Sequence, residues 1–148
     1  MPSNNQNAEQ AARDQIDAKL IESGWTVQSR KEINFNASPA IAISEYQTDV
    51  GPADYVLFLN QQPIGVIEAK PNDWGQKIST VEEQSLRYAT AKLKWATNKE
   101  PLPFIYESTG EITRFTNGRD PKPRSRELFT FHRPETLMLW LNHPKCQF

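Results

Sequence analysis

Thiols are almost missing from this chain. Cys146, near the C-terminus, is the single cysteine, which excludes an intrachain disulfide framework and a thiolate metal cage. Histidine is nearly as scarce: His132 and His143 are too few and too far apart to make an imidazole metal site. No apolar run approaches the roughly 18 residues of a membrane span, and the opening MPSNNQNAEQ has no apolar signal core. The G-x4-G-K-[ST] phosphate loop is absent, so ATP hydrolysis is not expected of this chain. An excess of either charge is lacking too: the net charge of −1 does not announce a nucleic-acid partner. The expectation is a cytoplasmic protein with no membrane partner.

What is present suits one globular domain over 1–148, with residues 1–7 as a disordered tail. The 148 residues are 37% apolar and 10% aromatic, enough for a real core. Ala8, Ala12, Ile16 and Leu20 recur at four-residue spacing, which predicts a helix to Ser23, stopped by Gly24. Trp25 and Val27 begin an extended segment, and residues 30–39 form a polar connection. Strands are expected over Ala40–Tyr46, Ala53–Leu59 and Ile64–Ala69, with turns at Thr48–Pro52 and Asn60–Pro63. A helix over about Ile78–Trp95 follows, with Thr80 and Glu83 at capping-box spacing. Phe104–Glu107 and Ile112–Phe115 read as a hairpin around Ser108–Gly110. Leu128–Phe131 is short and extended, and Pro134 opens a last helix through Leu141. Helix, three strands, helix, two strands, helix is an α/β order: a mixed central sheet flanked by helices, one on each side.

The stretch Asp54–Lys70, DYVLFLNQQPIGVIEAK, sets three charged groups at the ends of two greasy strands. Charges in such surroundings are costly unless paired or bound to a metal. Glu68 and Lys70 are two residues apart and share a face. Whether Asp54 joins them depends on the turn. A three-residue turn at 60–62 pairs Asp54 with Glu68, whereas a two-residue turn is expected to pair it with Ala69 and separate them. The functional reading therefore calls for an odd register or a bulge. Two carboxylates on one face make a hard-oxygen site for Mg²⁺, with Mn²⁺ able to replace it, and the Ala69 carbonyl could add a ligand. A neighbouring lysine can orient or deprotonate an attacking water. By spacing alone, D-x13-E-x-K is a weak signal that many chains contain by chance, and a structural salt bridge at a strand end accounts for it.

Other residues extend the pattern. Gln84 and Tyr88 lie four apart on the helix after the strands and share its face. Residues 114–133 carry Arg114, Arg119, Lys122, Arg124, Arg126 and Arg133 against Asp120 and Glu127. That local excess could meet phosphates or be a solvated loop. His132 reads as a capping or packing residue. The four tryptophans read as core or edge aromatics, with Trp74, in the loop straight after Lys70, the one that could face a ligand.

D-x13-E-A-K followed by Q-x3-Y resembles the PD-(D/E)xK restriction-endonuclease-like fold, in its RecB-like branch with the glutamine-tyrosine motif. Glu9-x3-Arg13, Ile16-Asp17, Gly24-Trp25, SEYQTDVGPADYVLF, GVIEAK, YESTG and FTNGRDPKPRSRELFTFHRPETL narrow the resemblance. Together they are similar to the N-terminal region of the restriction (R) subunit of type I restriction-modification enzymes, from Glu9 to about Leu141. The resemblance implies a type I site-specific deoxyribonuclease, represented here by its nuclease domain. Asp54, Glu68 and the Ala69 carbonyl would be metal ligands, with Glu9 as a further acid reaching the metal. Lys70 would be the catalytic lysine. Gln84 and Tyr88 would support cleavage and contact DNA, with Lys122, Arg124 and Arg126 as further DNA contacts. Ala53-Asp54 stands where the family has its leading proline-aspartate.

The implied protein is an N-terminal fragment of a longer motor subunit, with ATP needed only by the full-length subunit. It would cut double-stranded DNA at no particular sequence after translocation. The methyltransferase (M) and specificity (S) subunits would be its partners through the whole R subunit. The alternative is a non-cleaving module that binds DNA or docks the motor or the methyltransferase core.

Overall fold

The computed structural model describes residues 4–48, 51–70, 102–117 and 126–142; the side chains of residues 4–9, 47–48 and 51–52 lie outside the description. Helix α1 runs over Asn4–Glu22, so it begins inside the stretch expected to be a disordered tail. Ala12, Ile16 and Leu20 are fully buried, as the four-residue spacing requires of one helix face. Gly24 ends the helix at φ 101, where a Cβ would be strained. Its N–H reaches Ile21 O (3.1 Å) and the Trp25 N–H reaches Leu20 O (2.9 Å), which together satisfy the last carbonyls.

The strands are β1 (Thr26–Ser29), β2 (Ala40–Thr48), β3 (Gly51–Leu59), β4 (Gln62–Ala69), β5 (Phe104–Ser108), β6 (Thr113–Asn117) and β7 (Arg126–Leu128). They form one sheet in sequence order from β1 to β7. The β1–β2 and β4–β5 pairs are parallel and the others antiparallel, so the sheet is mixed. The last strand falls two residues earlier than expected, and Phe131 serves the core instead. The turn between β2 and β3 is also shorter than Thr48–Pro52, because Thr48 already pairs with Gly51.

Helix α2 (Pro134–Leu141) carries proline in its first turn, where the missing N–H costs nothing. Both described helices cover the same face of the sheet. Ile16, Leu20 and Leu137 join Trp25, Tyr55, Leu57, Ile67, Phe104 and Tyr106 in one core. The other face holds Ile41, Ile43, Val56, Phe58, Val66 and Ile105, with Ile33 and Phe35 of the 30–39 connection packed on it. A helix on each side was expected; the one assigned to 78–95 lies outside the described residues. The parallel pairing of β4 with β5 does require a crossover rather than a hairpin between them. Gly65 lets these two strands close up, since a Cβ there would stand 2.6 Å from Phe104 O.

The β3–β4 hairpin turns on two residues, Asn60 and Gln61, both left-handed at φ 50 and 69. Leu59 pairs with Gln62 and Phe58 with Pro63, but Leu57 pairs with Gly65. Ile64 is thus an extra residue, a bulge. Without it the two-residue turn would set Asp54 opposite Ile67, not Ala69 as the sequence reading had it. With it, the register that gives Tyr55–Ile67 brings Glu68 opposite Asp54.

Candidate functional site

Strand alternation breaks once more, beside the acid end of the hairpin. Ile43 and Tyr46 on β2, and Ala53 and Val56 on β3, face the same core although each pair is three residues apart. The pairing Ser44–Tyr55 and Tyr46–Ala53 is kept, so both strands are reset together. Glu45, at φ 56, is the residue that absorbs the reset on β2, opposite Asp54.

The reset delivers Asp54 to α1. Arg13 Nη2 donates to Asp54 Oδ1 at 2.8 Å, and Arg13 Nη1 donates to Glu45 Oε1 at 3.2 Å. The Ala69 N–H donates to Asp54 Oδ2 at 2.9 Å. The ladder between β3 and β4 ends at Tyr55–Ile67, and past that point the Asp54 carboxylate itself bridges to the β4 backbone. Tyr55 anchors the same part of α1: its hydroxyl donates to Asp17 Oδ1 (2.5 Å) and meets the Arg13 carbonyl at 3.2 Å.

Glu68 is 6% exposed, which is unusual for a carboxylate and decides its chemistry. Burial, and then the charge of Asp54, push its carboxyl up to about 7, against the pull of Lys70 and Arg13. Asp54 and Glu68 are therefore close enough to repel. Lys70 lies two residues on, with Nζ 3.7 Å from Glu68 Oε1 and its N–H bonded to Ser108 O (2.8 Å). Such a donor set, two crowded carboxylates with hard oxygens, fits a divalent cation that would relieve their repulsion.

Among the described residues no group of three or more His, Cys, Asp or Glu side chains could hold a metal. Mg²⁺ is commonly held by one or two carboxylates with water and phosphate completing the shell, so two suffice. Glu9 sits on α1 four residues before Arg13 and shares its face of the helix; its side chain lies outside the description. Gln84, Tyr88, Lys122, Arg124, Trp74 and His143 also lie outside the described residues. Arg126 is exposed on β7.

Sequence reasoning missed three participants. Arg13 enters the sequence pattern only within the Glu9-x3-Arg13 motif, and Glu45 only within SEYQTDVGPADYVLF. Glu107, 2% exposed, pairs beside Glu68 on β5 and faces Arg114 across to β6. The signal for Glu107 was present in YESTG: an acid inside a strand whose every residue is buried. His132, by contrast, packs as expected. Its Nδ1 lies 2.7 Å from the Tyr106 hydroxyl, its carbonyl accepts from Trp25 Nε1 (3.0 Å), and its ring meets Phe115 and Trp140 edge-on. Burial holds it down to about 4, so it is a neutral core residue.

The chain resembles known proteins in three ways. Residues 26–141 match the family model described as the type I restriction enzyme EcoKI endonuclease subunit second domain. The type I restriction enzyme EcoKI endonuclease subunit of Escherichia coli (strain K12) is 27% identical over an alignment that takes in 88% of this chain and 15% of that protein. A solved fragment described as an HsdR subunit of a type I restriction enzyme from Vibrio vulnificus YJ016 has the same fold. Its TM-score is 0.65 at 22% identity, covering 97% of this chain and 26% of that one. This chain thus spans a small part of each relative, and its mixed sheet is consistent with the restriction-endonuclease-like fold that the sequence predicts. With most of its length matched by the model, the chain belongs to the family of the type I restriction enzyme EcoKI endonuclease subunit second domain.

Proposed function

We propose that this chain is the Mg²⁺-dependent nuclease domain of a type I restriction enzyme endonuclease subunit. It would hydrolyse phosphodiester bonds of double-stranded DNA at no particular sequence, after ATP-driven translocation by motor domains elsewhere in the subunit. Target recognition would belong to the specificity subunit and modification to the methyltransferase subunit. Phosphate contacts carry no sequence information of their own, which suits such an enzyme. The observation that carries this reading is the convergence at one hairpin fork of Asp54, a buried Glu68 lifted to about 7, and Lys70.

In that reading Asp54 and Glu68 hold the cation, with the Ala69 carbonyl and Glu9 as further ligands. A bound Mg²⁺ supplies charge to the scissile phosphate and acidity to a water. Lys70 orients the attacking water and offsets negative charge on the phosphate as it is attacked. The Ala69 N–H and Arg13 each hold one oxygen of the Asp54 carboxylate. Gln84 and Tyr88 would contact DNA from the helix expected to follow β4, and Lys122, Arg124 and Arg126 from the basic loop.

The test uses the whole R-containing complex with ATP, Mg²⁺ and supercoiled DNA. Lys70→Ala and Asp54→Ala should abolish cutting while ATP hydrolysis by the motor continues. Normal cutting by both variants would remove the site assignment and leave the docking module. Reversing Arg124 and Arg126 to glutamate should weaken DNA binding if the basic loop meets phosphates, and flatten its salt dependence.

A further inference from the structure

We propose that Arg13 is a positioning residue of this centre, fixing the Asp54 carboxylate for the cation from helix α1. The inference rests on the reading of Asp54 as a metal ligand. Asp54 is held from two sides, its Oδ1 by Arg13 Nη2 at 2.8 Å and its Oδ2 by the Ala69 N–H at 2.9 Å. Each oxygen keeps a second lone pair for a metal. A carboxylate gripped at both oxygens cannot rotate away, so its rotamer is set before any cation arrives.

Arg13 is itself fixed. Its other terminal nitrogen donates to Glu45 Oε1 at 3.2 Å, and the Tyr55 hydroxyl meets its carbonyl at 3.2 Å. Glu45 holds a left-handed backbone, φ 56, which a non-glycine residue keeps only where its surroundings over-determine it. Surface ion pairs are usually loose and inconsequential. This one is tied to a strained residue on β2, to the fork of β3 and β4, and to α1 at once. The planar guanidinium fork suits that task, since it binds two carboxylates in one plane where an ammonium would bind as a point.

One effect opposes positioning. The guanidinium is a positive charge near the place of a dication and repels it. The two effects push metal affinity in opposite directions, so its sign separates them. Removing a hydrogen-bond partner of a ligating side chain typically weakens metal binding about 10–100-fold. Removing only a repelling charge would tighten it.

The experiment is calorimetric titration of the 148-residue chain with Mn²⁺ alone, at pH 8, for wild type, Arg13→Gln, Arg13→Ala, Arg13→Lys, Glu45→Gln and Asp54→Asn. Circular dichroism melts in chelator check that each variant folds. Arg13→Ala and Arg13→Gln should bind Mn²⁺ about tenfold or more weakly, with a smaller loss in Arg13→Lys and in Glu45→Gln. Unchanged or tighter Mn²⁺ binding in folded Arg13→Ala or Arg13→Gln overturns the proposal. Should the Arg13 variants not fold, unchanged Mn²⁺ binding in Glu45→Gln, which frees Arg13 on one side, overturns it instead. Asp54→Asn is the separate control: wild-type Mn²⁺ binding there would remove the metal-ligand reading, whatever Arg13 does.

Discussion

Glu68→Gln should make this protein more stable while destroying the site. The substitution keeps the shape of the side chain and removes its charge. Burial first, and Asp54 second, move the Glu68 carboxyl from an ordinary 4.5 to about 7. At about 1.36 kcal/mol per pKa unit, that gap is worth roughly 3 kcal/mol. The sign follows from which state holds the proton. Below pH 4.5 folded and unfolded chains are both protonated, and Glu68 costs nothing. As the pH rises from 4.5 to about 7, the unfolded chain loses its proton first and stability falls. Above about 7 the full cost is present. Glutamine never ionises, so the variant escapes the loss but leaves a buried amide to be hydrogen-bonded. A gain of about 2 kcal/mol at pH 8 is expected, shrinking to within about 1 kcal/mol at pH 5. Urea unfolding in chelator at the two pH values measures both. Adding Mn²⁺ should raise the stability of wild type by about 2.7 kcal/mol at a hundredfold excess over Kd, and leave the variant unmoved. A variant no more stable than wild type at pH 8, or one whose advantage is the same at pH 5, would refute the argument that the centre stores unfavourable charge.

His132 should produce the opposite slope. Burial lowers it from 6.5 to about 4, so the unfolded chain takes up the proton first and stability is lost as pH falls from 6.5 toward 4. After discounting for its partly exposed ring, the loss is about 2 kcal/mol. In wild type the Glu68 slope masks it; in Glu68→Gln, unfolding midpoints between pH 4.5 and 6.5 should reveal it. Gly65→Ala should destabilise by about 1–3 kcal/mol, because the added Cβ meets a backbone oxygen of β5 rather than a movable side chain; chemical unfolding measures this, and a neutral result would show that β4 and β5 can separate cheaply. Tyr55→Phe removes the hydroxyl that ties α1 to β3 at Asp17 and Arg13, at a cost of about 1–2 kcal/mol. Its hydrogen exchange should rise in α1 around Arg13 before it rises in β3.

Much of the fold was legible in the chain because local chemistry was strong. The Ala12, Ile16 and Leu20 stripe, the glycine stop and the apolar runs of β3, β4 and β5 each specify an element without help from the rest. Boundaries and junctions were less legible, because they depend on pairing partners distant in the chain. The strand after the basic loop moved by two residues, and α1 started inside the supposed tail.

The centre divides along the same line. Its ingredients, Asp54, Glu68 and Lys70, stand out in one dimension because charges at the ends of greasy strands demand a reason. Their meeting could not be read there, since β3 is apolar on both faces and its pattern is the same in either register. The type of turn at Asn60–Gln61 points to the wrong partner, Ile67, and a single extra residue at Ile64 corrects it. Arg13 and Glu45 were invisible as members of the centre for a related reason. They lie 41 and 9 positions from Asp54, and they come to it through a helix packing on a sheet and a paired reset of two strands. Residue identity sets what each group can do; register and packing, which depend on the whole sheet at once, set which groups do it together.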